Sequence, residues 1–134
     1  MANIHKPDEN IKTDVAMIAA TLNNSANTPL YFPMTNYDLA WFLVITAARA
    51  GAASLTCQMR QRVGAAGAVA NLKAAATVIT ANAVDATLFA RGEDFTATYT
   101  YVGILITETA TQNFAVSSVL LRLRARYKQA TLLA

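Results

Sequence analysis

The feature that most constrains the fold is an alternation with a period of two. Across residues 55–63, Leu55, Cys57, Met59 and Val63 share one parity while Thr56, Gln58, Arg60 and Arg62 share the other, and Gln61 alone breaks it. Successive side chains on a strand point to opposite faces, so this segment reads as a half-buried β-strand. Across residues 95–107, Thr96, Thr98 and Thr100 alternate with Phe95, Ala97, Tyr99 and Tyr101, and the run turns apolar through Val102, Ile104, Leu105 and Ile106. That is the pattern of a strand starting at a rim and ending in an interior, built from residue types that suit a pleated surface.

Turn signals separate these runs. Asn23 to Asn27 form one cluster, Pro33 to Asn36 another, and Gly51, Gly64, Gly67 and Gly92 stand between apolar stretches. Short strands punctuated in this way predict an all-β chain with a single antiparallel β-sandwich or jelly-roll-like domain over residues 15–134. Residues 1–14, polar and without a period, are expected to form an extended N-terminal arm. A short helix competes only at residues 64–76 (GAAGAVANLKAAA), where alanine favours it and Gly64 and Gly67 oppose it.

Composition limits what such a domain can do. Hydrophobic residues make up 54% of the 134 and charged residues only 14%, well below the roughly 25% of ordinary soluble domains. A chain of this size cannot bury all of that apolar content alone, so a homo-oligomer is expected. The longest apolar stretch, residues 39–48 (LAWFLVITAA), is about half the ~20 residues of a membrane-spanning helix and reads as a buried element. The charged N-terminal residues leave no room for a secretory signal, which points to synthesis in a cytoplasm without export by that route.

The residue types that carry chemistry are sparse. His5 is the single histidine, so a histidine triad or multi-histidine metal site cannot be built within one chain, and neither a catalytic nor a metal or cofactor role is expected. Cys57 lies on the apolar parity of its strand, where a thiol acts as a small hydrophobe. Glu93 and Asp94 are adjacent carboxylates expected in a solvated turn, and no phosphate-binding glycine loop occurs.

Two groups of residues are candidates for partner binding. Near the C-terminus, Arg122, Arg124, Arg126 and Lys128 share one parity and Leu121, Leu123, Ala125 and Tyr127 the other. On a strand this makes a basic stripe, open to three readings: a solvated face, a docking face for an acidic partner, or a phosphate track. Nucleic acid ranks last, because Tyr127 is the one aromatic residue near the stripe. The second group, residues 29–41 (PLYFPMTNYDLAW), gathers Tyr31, Phe32, Tyr37 and Trp41, as either a core corner or a subunit interface.

The stretch TLNNSANTPLYFPMTNYDLAWFLV at residues 21–44, followed by strands rich in alanine and threonine and by Ala125-Arg126-Tyr127, resembles small virion proteins of tailed bacteriophages, of the head decoration or cement type. The resemblance implies a compact β-sandwich without catalytic activity that binds the outside of a capsid as an oligomer, expected to be a trimer. Its partners would be further copies of itself and the major capsid protein, and its location the virion surface. Two alternatives stand beside it: another virion component, from the tail or head-to-tail region, and a carbohydrate- or small-ligand-binding β-sandwich using Trp41 and the tyrosines.

Overall fold

In the computed structural model, which describes residues 11–73, 76–81 and 84–124, the chain is nearly all β and forms a sandwich of two antiparallel sheets. The strands are β1 (Ile11–Leu22), β2 (Ser25–Ala26), β3 (Phe32–Pro33), β4 (Leu39–Arg49), β5 (Leu55–Arg62), β6 (Val69–Asn71), β7 (Thr77–Ile79), β8 (Ala86–Arg91), β9 (Tyr101–Glu108) and β10 (Phe114–Leu123). One sheet has the order β1-β10-β4-β8. In the other, β9 and β5 pair centrally, β2 and β3 share the free side of β9, and β6 and β7 share the free side of β5.

Each central strand buries one parity. On β5, Leu55, Cys57, Met59 and Gln61 point inward while Thr56, Gln58, Arg60 and Arg62 point outward, as the alternation requires. Gln61, the exception in the pattern, is accommodated by hydrogen bonds. Its Nε2 donates to Thr96 Oγ1 (3.0 Å) and Asn71 O (3.2 Å), and its Oε1 accepts from Thr96 N (3.0 Å). Phe42, Val44, Leu55, Ile104, Ile106, Phe114 and Leu120 meet between the sheets. On β1 the pairing with β10 slips at Ala16, so that both Ala16 and Met17 turn into the core, which a regular strand could not do.

Three expectations change. β1 begins at Ile11, so residues 11–14 belong to the sandwich and the boundary expected at Asp14 falls inside a strand; the rest of the expected arm, residues 1–10, lies outside the described residues. The strand expected over 95–107 starts only at Tyr101, because Gly92–Asp94 form a single 3-10 turn and Thr98 has φ +76°, a left-handed conformation incompatible with a continuous strand. Within residues 64–76 no described residue is helical: β6 pairs with β5 there, and Lys73 turns the chain at φ +63°.

Three of the connections that cross between the sheets at one end of the sandwich, β1 to β2, β4 to β5 and β9 to β10, are tied by one side chain. Glu108, at the end of β9, has no solvent-exposed surface. Its carboxylate accepts from Asn24 N (2.7 Å), Ala110 N (2.7 Å), Ser54 N (3.4 Å) and Gln112 N (3.4 Å). Burial alone would raise its pKa, but these donors together outweigh it and hold the group below its ordinary value. In the crossing from β4 to β5, Gly51 has φ +49° and packs against the Gln112 amide, whose Oε1 accepts from Ala52 N (3.0 Å).

Candidate interaction surfaces

β4 is apolar on both parities. Ala40, Phe42 and Val44 fill the core, which leaves Leu39, Trp41, Leu43 and Ile45 on the outer face. Register then assembles a patch from residues distant in sequence. Trp41 stands opposite Phe89 on one side and Leu121 on the other; Leu43 is flanked by Thr87 and Val119, and Leu39 by Arg91 and Leu123. Val15 continues the second row beyond Val119, and Ile11 the third beyond Leu123. Trp41 remains 43% exposed and Phe89 49%, while the leucines of the patch are half-buried. The expectation that residues 39–48 form a buried element therefore holds for one parity only. A shallow groove lined by Thr21, Ile45, Ala115 and Ser117, among others, extends the patch toward the other end of the sheet.

The aromatic group of residues 29–41 does not act as a unit. Phe32 and Tyr37 pack against the core, Trp41 points out of the four-stranded sheet, and Tyr31 lies on the outer side of the other sheet, over Gly103. Trp41 and Tyr31 are thus on opposite sides of the sandwich, which removes the shared stacking surface that a sugar site using both would need.

The basic stripe also divides. β10 buries Phe114, Val116, Ser118 and Leu120, and the same parity carries Arg122 inward to 3% exposure. The expected arrangement is inverted, since Leu121 and Leu123 face outward. Arg122 is satisfied internally. Its Nη2 and Nε donate to Asp14 Oδ2 (2.6 and 3.2 Å), its Nη1 donates to Pro33 O (2.6 Å), and its guanidinium lies 4.8 Å from the Tyr37 ring centre and 5.6 Å from that of Phe32. It locks β1 to the segment before β4 instead of presenting charge to solvent. Arg124 is exposed, with its guanidinium 5.8 Å from the Tyr37 ring; Arg126 and Lys128 lie outside the described residues.

Other titratable groups serve the fold. Burial pushes the Cys57 thiol up to about 12, which keeps it protonated and unreactive at neutral pH. Asp94 accepts from Arg91 N (2.8 Å) and pairs with Lys73 (3.3 Å) in the expected turn; the Arg91 hydrogen bond leads in lowering its pKa, burial opposes it, and Lys73 adds to the lowering. Among the described residues no three His, Cys, Asp or Glu side chains converge as a metal site would require, and no helix is long and apolar enough to cross a membrane.

The outer face of the six-stranded sheet carries the polar parity of β5, including Arg60 and Arg62. Arg62 lies with its guanidinium 4.3 Å from the Tyr31 ring centre and 5.6 Å from that of Tyr101, and its Nε donates to Gly64 O (3.1 Å). Arg60, two residues earlier on β5, stands opposite Gly103 of β9. The i, i+2 spacing was visible in the sequence, but the tyrosines arrive from other elements and only the fold brings them in.

No protein-family model matches this chain, and no curated protein does. Solved structures do. Infectious bursal disease virus of the Gt strain aligns at a TM-score of 0.56 with 8% identity, over 88% of this chain and 32% of the viral one. The Gx strain gives 0.54 and 10% over the same shares, and a VP2 subviral particle of that virus gives 0.54 and 9% over 85% and 32%. At these identities the likeness is one of fold, and this chain spans about a third of the viral chains it matches.

Proposed function

We propose that this chain is a non-enzymatic structural subunit of an assembled particle: a homo-oligomer that decorates a bacteriophage capsid, touching its own copies and the major capsid protein at the virion surface. The observation that carries the reading is the outer face of the four-stranded sheet, where Trp41, Phe89, Leu43, Leu121 and Val15 form one apolar patch. A contiguous apolar surface of this kind marks a protein–protein contact, and repeated identical sites on a particle let modest contacts add through multivalency. The fold it shares with subunits of viral particles supports the same reading.

Two measurements test it. Light scattering of the purified chain is expected to give a mass of several copies, three on the decoration reading. Electron microscopy of particles incubated with the chain is expected to show added density on the capsid exterior. A stable monomer at micromolar concentration removes the self-association, and particles that stay bare remove the decoration role.

A further inference from the structure

The outer face of the six-stranded sheet presents positive charge, and neither Arg60 nor Arg62 forms an ion pair with a described carboxylate. Four of the described acids are engaged elsewhere: Asp14 on Arg122, Glu108 under the crossing turns, Asp94 on Lys73 and the Arg91 amide, and Asp85 on the Thr46 amide. Arg60 and Arg62 project outward from β5 two residues apart, facing Gly103 and Tyr101 of β9.

The Arg62 guanidinium is held in place without being neutralised. A Cβ at Gly103 would stand 2.9 Å from two Tyr31 ring carbons and 2.8 Å from Leu30 O, so the missing side chain is what lets Tyr31 lie against the sheet. From there its ring faces Arg62 at 4.3 Å, with Tyr101 at 5.6 Å, and the Nε bond to Gly64 O fixes the orientation of the fork. The Nη groups of Arg62 make no hydrogen bond to another described residue. Arg60 is half-buried, and its Nε is shut off from solvent without a hydrogen-bond partner. A buried donor left unpaired is costly, and a planar guanidinium fork is suited to a bidentate acceptor.

We propose that Arg60 and Arg62 form a docking site for an extended acidic segment of a partner protein, one carboxylate for each arginine. Alternate side chains on a strand are about 6.6–6.8 Å apart, the same spacing that alternate residues of an extended peptide present. Charge complementarity selects acid, and ring placement selects peptide over nucleic acid: Tyr31 is covered by Gly103 on one side and Arg62 on the other, so it is closed to the base stacking on which single-strand binding relies. The site lies on the sheet opposite the apolar patch and stands whether or not the chain self-associates.

Fluorescence anisotropy with the full chain tests this, using a labelled peptide of alternating glutamate and threonine, its glutamine counterpart, and an oligothymidylate. The glutamate peptide is expected to bind and to weaken as salt is raised, and the glutamine peptide to bind at least about tenfold more weakly. Arg60→Gln is expected to lower affinity about tenfold, Arg60→Lys and Arg62→Lys to lower it less because charge persists without the fork, and Arg124→Gln, just past the end of β10, to leave it unchanged. Circular dichroism confirms that each variant is folded, and the Lys variants carry the test should Arg60→Gln fail to fold. No binding of the glutamate peptide, equal binding of the glutamine peptide, parental affinity in the Arg60 and Arg62 variants, or tighter binding of the oligothymidylate would each overturn the proposal.

Discussion

On the outer face of the four-stranded sheet Trp41 stands between Phe89 and Leu121; on the outer face of the other sheet Arg60 and Arg62 stand opposite Gly103 and Tyr101. Both faces belong to strands whose other parity fills the same core, β4 with Phe42 and Val44, β5 with Leu55 and Cys57. They differ in the second parity. β5 alternates apolar with polar and is complete when one face is covered, whereas β4 is apolar on both parities, the pattern of a strand covered on two sides. Among the described residues β4 obtains only one cover, and on the function proposed above the second comes from another chain.

The sharpest contrast lies between neighbours on β4. Phe42→Ala is expected to cost about 3–5 kcal/mol in chemical denaturation, because it opens a cavity between the sheets. Trp41→Ser, one residue away, is expected to cost about 1 kcal/mol while weakening self-association. Comparable losses at both positions would mean that Trp41 belongs to the core and that the outer face is not a surface.

Carboxylates test the faces against each other. Trp41→Asp combined with Phe89→Asp is expected to weaken self-association about a hundredfold or more, read by light scattering, since two aromatic contacts are lost and charge is introduced in their place. Thr56→Asp combined with Thr107→Asp, on the polar face, is expected to leave the mass unchanged. The reverse pattern would exchange the roles assigned to the two sheets.

A third comparison sets the inward arginine against an outward one. Asp14→Ala leaves the Arg122 guanidinium buried with one carbonyl and two rings, and is expected to cost about 2 kcal/mol, discounted from the fully buried case because Asp14 is partly exposed. Arg60→Gln is expected to change stability by no more than about 0.5 kcal/mol, since no ion pair is broken.

Acid should act on the end of the sandwich rather than on either face. The pKa of Glu108 is lowered in the folded chain, so its contribution is present above its unfolded value near 4.5 and is lost as pH falls through the folded value. Thermal melts are expected to weaken with falling pH in that range. In Glu108→Gln this part of the pH dependence is expected to disappear, with lower stability at neutral pH. Unchanged acid sensitivity in the variant would assign the effect to other carboxylates.

A small effect is also expected at Gln58, whose Nε2 donates to Met59 O, Leu72 O and Lys73 O at the rim of the polar face. Gln58→Ala is expected to cost about 1 kcal/mol by releasing the turn at Lys73, again without altering the mass. A change in mass would extend the self-association surface to the second sheet.

Local pattern determined the strand character of this chain, the inward parity of β5 and the turns at Asn24, Asn36, Gly51 and Gly64, all four at positive φ. These follow from the alternation of side chains along a strand and from the few residue types that tolerate left-handed backbone, both written within a handful of residues. Tertiary structure decided the rest. The parity of β10 could be read either way from Leu121-Arg122-Leu123-Arg124, and was settled by Phe114 to Leu120 filling the core and by Asp14 arriving from β1 to neutralise Arg122. Likewise the patch around Trp41 needs Phe89 and Leu121 in register, and the fixed fork of Arg62 needs Tyr31 lying over Gly103. Period two establishes that a strand has two faces, but which face is inside depends on what the rest of the chain can place against it, a sum of burial and charge compensation over residues far apart in sequence.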